Sequence, residues 1–250
     1  MHRFTNIYMQ KLLSIGQTAK FIGVSIDTLR RWDSSGRLRS IRSGPKGHRF
    51  YNRSDIDHYL QNVEVIARNW AESTHPSIPN PDIYSQTRDV FQARLESFQS
   101  ALSRITPINI VSLVTAIAGE IGNNSFDHNL GNWPDIPGVL FSYSIRDRKV
   151  ALADRGQGIL TTLKRVRPNL VSSSEAIKMA FTETISGRYP ESRGNGLKFV
   201  RSIIVKNPFS LCFQTGNAQL YLKYNDVELN IKQTETIING CYAIINFEDL

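Results

Sequence analysis

The chain has 250 residues, 40% hydrophobic and 21% charged, which suits one large globular domain or two smaller ones. It has no run of about 18 apolar residues and no apolar leader before a small-residue cleavage site, so neither a membrane span, a membrane partner nor a signal peptide is expected. Its lone Cys212 and Cys241, without metal-ligand spacing, fit a reducing cytoplasm. The net charge of +8 is uneven: residues 1–66 hold 11 Lys/Arg against 5 Asp/Glu, giving +6, and residues 67–250 hold 19 against 17, giving +2, so a polyanion is the expected partner of the front end.

In chain order, the first predicted domain spans 12–66. A short helix from Gly16 to about Phe21 is closed by Gly23. A second helix opens with Ser25 as N-cap and Asp27 in its first turn; Ile26, Leu29 and Trp32 give it an inward face, while Thr28, Arg30 and Arg31 point elsewhere. Two helices joined at a glycine form a helix-turn-helix, whose second helix enters the major groove of double-stranded DNA. Arginine there can bond bidentately to guanine, and threonine can reach a base edge or a phosphate. Two strands, about 39–43 and 48–51, then flank Gly44-Pro45-Lys46-Gly47 and read as a wing. Lys46, His48, Arg49 and Tyr51 cluster on it as candidate phosphate contacts. A helix capped by Ser54 follows, and the proline-containing stretch 67–84 reads as a linker.

The second predicted domain spans 85–250. Phe91, Leu95, Phe98, Leu102 and Ile105 recur at helical spacing over 85–105, and another helix covers 108–129. The period then changes: 138–145 and 149–156 read as a hairpin, 173–183 as a helix, 184–196 as a loop and 197–205 as a helix. Four short strands, SLCFQT, AQLYLKY, VELNIKQ and CYAIINF, are expected in the tail.

Three polar boxes stand out. Glu120 and Asn124 lie four apart on the helix 108–129, with Asp127 and His128 one turn on, near one face. A carboxylate beside an amide can polarise water and hold Mg²⁺ through the amide oxygen. Asp154-Arg155-Gly156-Gln157-Gly158 directly follows a strand, where the carboxylate can accept from an adenine amino group and glycines allow close approach. Arg193-Gly194-Asn195-Gly196 opens a helix whose free N–H groups suit phosphates. No Walker A pattern occurs, which excludes a P-loop.

Two resemblances follow from these residues. Ser14-Ile15-Gly16, Ala19, Gly23-Val24-Ser25, Thr28 to Trp32, Gly36-Arg37-Leu38 and Gly47 to Tyr51 resemble the MerR and excisionase-type winged helix-turn-helix family over about 50 residues, without the long dimerisation helix or metal-sensing cysteines of full MerR regulators. The ordered boxes resemble the GHKL ATPase superfamily of gyrase, MutL, sensor histidine kinases and anti-sigma-factor kinases. The implied class is α+β: a small winged helix-turn-helix domain followed by a two-layer α/β sandwich of the GHKL (Bergerat) type. By that resemblance ATP and Mg²⁺ are the cofactors and Asn124 is the metal residue. Asp154 reads adenine, Gly156 and Gly158 shape its site, and Gly194, Asn195 and Gly196 cradle phosphates. Residues 160–193 form a lid, and Glu120 is the catalytic base. Asp127 and His128 are further nucleotide contacts. The helix 85–105 carries no phosphoacceptor histidine.

Three functions fit both halves. One is an ATP-responsive transcriptional regulator, acting as a homodimer on paired half-sites. Another is a DNA-tethered serine/threonine kinase of the anti-sigma type, with a protein partner. The third is a DNA-stimulated ATPase of recombination or defence.

Overall fold

The structure, a computed structural model, describes residues 12–42, 44, 47–183 and 196–247. The chain divides into two compact units, Met1–Val65 and Ile66–Leu250. No helix of the described residues is long and apolar enough to cross a membrane.

In the first unit β1 (Leu12–Ser14) leads into α1 (Ile15–Ile22), α2 (Ile26–Ser34), β2 (Ile41–Arg42), β3 (Arg49–Asn52) and α3 (Arg53–Gln61). Local chemistry sets the helix ends. Ser14 and Gln17 form a reciprocal capping box on α1, and Gly23 ends it at φ 80, a left-handed conformation that favours glycine. Ser25 accepts from the Thr28 N–H at 3.0 Å and so caps α2. The strands form an antiparallel sheet in the order β1-β3-β2, with Ile41 opposite Phe50 and Arg42 opposite Arg49. Ala19, Leu29, Trp32, Leu38, Tyr51, Ile56 and Tyr59 make the core. Two expectations change. Ile26 lies at the exposed edge of α2, outside the core, and α3 opens after Asn52, two residues before the expected cap.

The second unit starts within α4 (Val63–Glu72) and continues through β4 (Tyr84–Ser85), α5 (Arg88–Leu102), α6 (Ile108–Asn129), β5 (Val139–Ser144), β6 (Lys149–Asp154), α7 (Gly158–Lys164), α8 (Ser173–Thr182), α9 (Gly196–Ile204), β7 (Phe209–Lys223) and β8 (Asn230–Phe247). The five strands run in the order β4-β5-β6-β8-β7, every neighbouring pair antiparallel. Val139 and Phe141, Val150 and Leu152, Leu211 and Phe213, and Ala243 and Ile245 alternate onto one face. That face packs on Phe91, Phe98, Ile117, Ile121, Ile177 and Val200 of α5, α6, α8 and α9.

Three sequence expectations are corrected here. The stretch 67–84 is not a bare linker: Ala67, Trp70 and Ala71 are buried on α4, and Tyr84–Ser85 is an edge strand paired with β5. Two layers do not describe the unit fully, because Leu140, Ala151, Ala153, Tyr242 and Ile244, which alternate onto the other face, are buried too. Arg68 of α4 stands 4.6 Å over the Tyr242 ring on that side. The near-continuous apolar runs of β5 and β6 carry this signal, since strands buried on both faces lose their alternation. The four expected tail strands are two long ones: Gly216 and Gly240 take positive φ where the β7–β8 pairing shifts register, so they mark bulges rather than turns.

Candidate functional site

In the first unit, α2 presents Arg30 and Arg31 to solvent, while Thr28 is half-buried with its hydroxyl 2.9 Å from that of Ser25. Arg30 pairs with Asp27 at 2.7 Å on the same helix. His48 is exposed beside the wing turn; Lys46 lies outside the described residues. Tyr51 is corrected: it is fully buried and its hydroxyl donates to the Leu29 carbonyl at 3.4 Å, so it anchors α2 instead of meeting phosphate. Tyr51→Phe is therefore expected to leave DNA affinity within about twofold, since a long hydrogen bond inside a protein contributes only about 1 kcal/mol. Fluorescence anisotropy on a labelled duplex checks this; a loss of about tenfold or more would mean that the hydroxyl reaches DNA. Arg49 is half-buried, its Nε donating to Asp33 at 2.7 Å.

In the second unit, the first two boxes meet at Asp154, on the last residue of β6. Its carboxylate is 2% exposed. The Ser125 hydroxyl on α6 donates to Oδ2 at 2.7 Å, and the Gly156 N–H donates to Oδ1 at 2.8 Å. Burial pushes its pKa up to about 6, against the lowering effect of Ser125 and of the Gly156 and Cys241 amides. Around it Asn129 Oδ1 accepts from the Gln157 N–H at 2.8 Å, and the Thr215 hydroxyl donates to the Gly240 carbonyl at 2.7 Å. The close approaches that require Gly156 and Gly158 are to the protein itself. A Cβ on Gly156 would overlap Asn129, and one on Gly158, at φ 72, would lie 2.9 Å from the Thr215 hydroxyl.

The third box meets the first at Gly196. A Cβ there would stand 2.6 Å from Glu120 Oε2 and 3.4 Å from Asn124 Nδ2, so the start of α9 lies directly against these two α6 side chains. Gly194 and Asn195 lie outside the described residues. The four polar residues of α6 do not act as one face. Asp127 makes an ion pair with Arg88, and Asn123 beside it accepts from Gln92, so this side of α6 is used by α5. His128 offers its backbone carbonyl to Gln157. Of the expected lid, residues 160–183 hold the rest of α7 after Ile159 and all of α8, with Leu163, Leu170 and Ala176 in a small core and Ile177 and Phe181 in the main one. Residues 184–193 lie outside the described residues.

Sequence reasoning missed Ser125, Asn129, Thr215 and Gly240. Ser125 and Asn129 carried a weak signal, four apart on the helix already singled out; Thr215 and Gly240 carried none, because they come from distant strands. Among the described residues no cluster of three His, Cys, Asp or Glu side chains could hold a metal ion.

Two helices joined at a left-handed glycine, the second buried by Leu29 and Trp32 and followed by a two-stranded wing, define a winged helix-turn-helix DNA-binding domain. Residues 14–51 match the MerR family regulatory proteins. The chain is 50% identical over 38 residues to an excisionase of Mycobacterium phage D29, covering 15% of this chain and 68% of that protein. It is also 32% identical over 66 residues to the Type II methyltransferase M.Eco47II of Escherichia coli, covering 26% of this chain but only 16% of the methyltransferase. Residues 14–51 are thus a MerR-family helix-turn-helix domain, with homology to the phage excisionase.

Proposed function

We propose that this protein is a DNA-binding regulator whose second unit holds Mg·ATP in a GHKL-type site, and that nucleotide controls its binding to DNA. The observation that carries this reading is the convergence of the three boxes on α6: Asp154 through Ser125, and Gly196 against Glu120 and Asn124. Boxes 30 residues and more apart in sequence are brought to one helix, as a nucleotide site built on it requires. The donor set fits the group. A nearly buried carboxylate suits an exocyclic amino donor, and a helix start without a side chain suits a phosphate. Asn124, whose side-chain amide lies beside Gly196 with Nδ2 nearest, would hold Mg²⁺ through its amide oxygen, with the remaining positions left to phosphates and water. When bound, the metal would neutralise phosphate charge. Asp154 would accept from adenine, and the α9 N-terminus would face the phosphates. Two copies on paired half-sites would supply the affinity that one small winged module lacks.

The half-buried Glu120 beside Gly196 also favours a second reading, turnover of the nucleotide, because a carboxylate at the phosphate end can take a proton from water or from a partner's hydroxyl.

Capture of genomic fragments by the full chain, with and without a non-hydrolysable Mg·ATP analogue, tests the regulator reading. The nucleotide is expected to change which fragments are held or the salt they survive. Identical fragments, held equally in both conditions, would refute control of DNA binding. Label transferred from ATP to a co-purified protein would then support the kinase.

A further inference from the structure

On the wing, Arg42 of β2 and Arg49 of β3 are direct cross-strand partners. Like charges placed opposite each other on a two-stranded ribbon repel and loosen it. The fold resolves this with a carboxylate from outside the ribbon. Asp33, in the last turn of α2, accepts from Arg42, from Arg49 Nε at 2.7 Å and from the Ser40 N–H at 2.9 Å. Its side chain is only 9% exposed, against 34% for Arg42 and 23% for Arg49. Asp33 stays ionised: although burial raises its pKa, the Ser40 amide, Arg49 and Arg42 together hold it well below the usual carboxylate range. One side chain thus joins the end of the recognition helix, the approach to β2 and both wing strands. This explains why Arg49, which the sequence offers as a phosphate contact, is turned inward.

We propose that Asp33 is a positioning residue for DNA specificity: it locks the wing to the recognition helix and withholds Arg42 and Arg49 from indiscriminate phosphate contact. This rests on the DNA-binding reading of the first unit. The physical consequence is separable from simple stability. Base contacts made by α2 depend on the angle at which the wing seats the helix, whereas phosphate contacts by free arginines do not depend on sequence. Loss of the clamp should therefore lower specific binding while leaving non-specific binding intact or stronger. A fold-wide defect would lower both.

The test uses the full chain. Wild-type protein enriches a duplex from a random-sequence library, and affinity is measured by fluorescence anisotropy for that duplex and for a scrambled duplex of the same composition, from about 50 to 200 mM salt. Asp33→Asn is expected to lose about tenfold in affinity for the enriched duplex. Affinity for the scrambled one should stay equal or rise, with a salt dependence steeper by about one or two released counterions. Both affinities falling by one factor, or an unchanged ratio between them, overturns the proposal. Should D33N fail to fold by circular dichroism, Arg49→Gln decides: the clamp requires loss on the enriched duplex alone. Equal loss on both duplexes, with a slope shallower by about one, marks Arg49 as a direct phosphate contact and overturns the clamp. Wild-type protein that retains no duplex at all defeats the DNA-binding reading itself and this inference with it, an outcome distinct from wild-type binding with D33N unchanged.

Discussion

Replacing Arg155 by alanine is expected to destabilise the second unit by about 3–5 kcal/mol, the scale for removing one partner from a buried, hydrogen-bonded ion pair. The guanidinium is 1% exposed and every nitrogen has a partner. Nε donates to Asp135 at 2.7 Å, Nη1 to the Trp70 and Ala71 carbonyls at 2.6 and 3.1 Å, and Nη2 to the Ser73 carbonyl at 2.9 Å. Those carbonyls lie at the C-terminal end of α4, where helix carbonyls have no partner of their own and a cation complements the dipole. Truncation would leave them and Asp135 without their donor and open a cavity behind β6. Arg155→Lys should fall between wild type and R155A, because an ammonium is a point charge without the planar fork that reaches all four acceptors. Urea denaturation followed by tryptophan fluorescence measures both, since Trp70 lies 5.9 Å from the guanidinium. A loss below about 1 kcal/mol in R155A would mean that water replaces the fork, and that the surroundings of α4 are far more open than the contacts imply.

The second large effect is expected at Asp154. If its carboxylate accepts from adenine, Mg·ATP affinity should be constant above about pH 7 and weaken by about tenfold per unit once the pH falls below the pKa of about 6. Asp154→Asn should bind far more weakly at neutral pH and lose this dependence; the ratio of the two proteins cancels the titration of the nucleotide itself. Stability moves in the opposite direction. Burial raises the folded pKa from 3.8 to about 6, so the folded chain holds a proton that the unfolded chain releases. The contribution of this group to stability is therefore fully present below pH 3.8 and is lost as the pH rises through about 6. D154N, always neutral, should melt above wild type at pH 7.5, with the difference closing toward pH 4. Isothermal titration calorimetry and thermal melts across this range check both signs. A pH-independent wild-type affinity that matches D154N would remove Asp154 from the nucleotide site.

Much of the secondary structure was legible in local chemistry. Gly23 ends α1 and Ser25 opens the recognition helix, as their cap preferences predict, and α6 runs over Ile108–Asn129, as its sequence pattern predicts. The hairpin of β5 and β6 follows from its β-rich runs and the turn between them. These signals are short-range: a cap, a period of 3.6 or a tight turn is decided within a few residues. Misreadings arose where a local signal has two tertiary outcomes. Glycine at 216 and 240 serves a bulge as readily as a turn, and Gly158, at φ 72, opens α7, a helix the local pattern does not announce. Prolines after α4 mark where the helix stops, not that the segment is detached.

Sequence alone determined a basic winged helix-turn-helix at the front and three ordered polar boxes behind it. Only the tertiary structure decided which polar side chains those elements use on themselves. Tyr51 became core, Arg49 and Arg42 were committed to Asp33, Asp127 was taken by Arg88, and Arg155 was buried against α4. The reason is physical. A charged or hydroxylated side chain looks the same in sequence whether it faces a ligand or an internal partner, and the choice depends on what distant strands and helices place within about 3 Å of it.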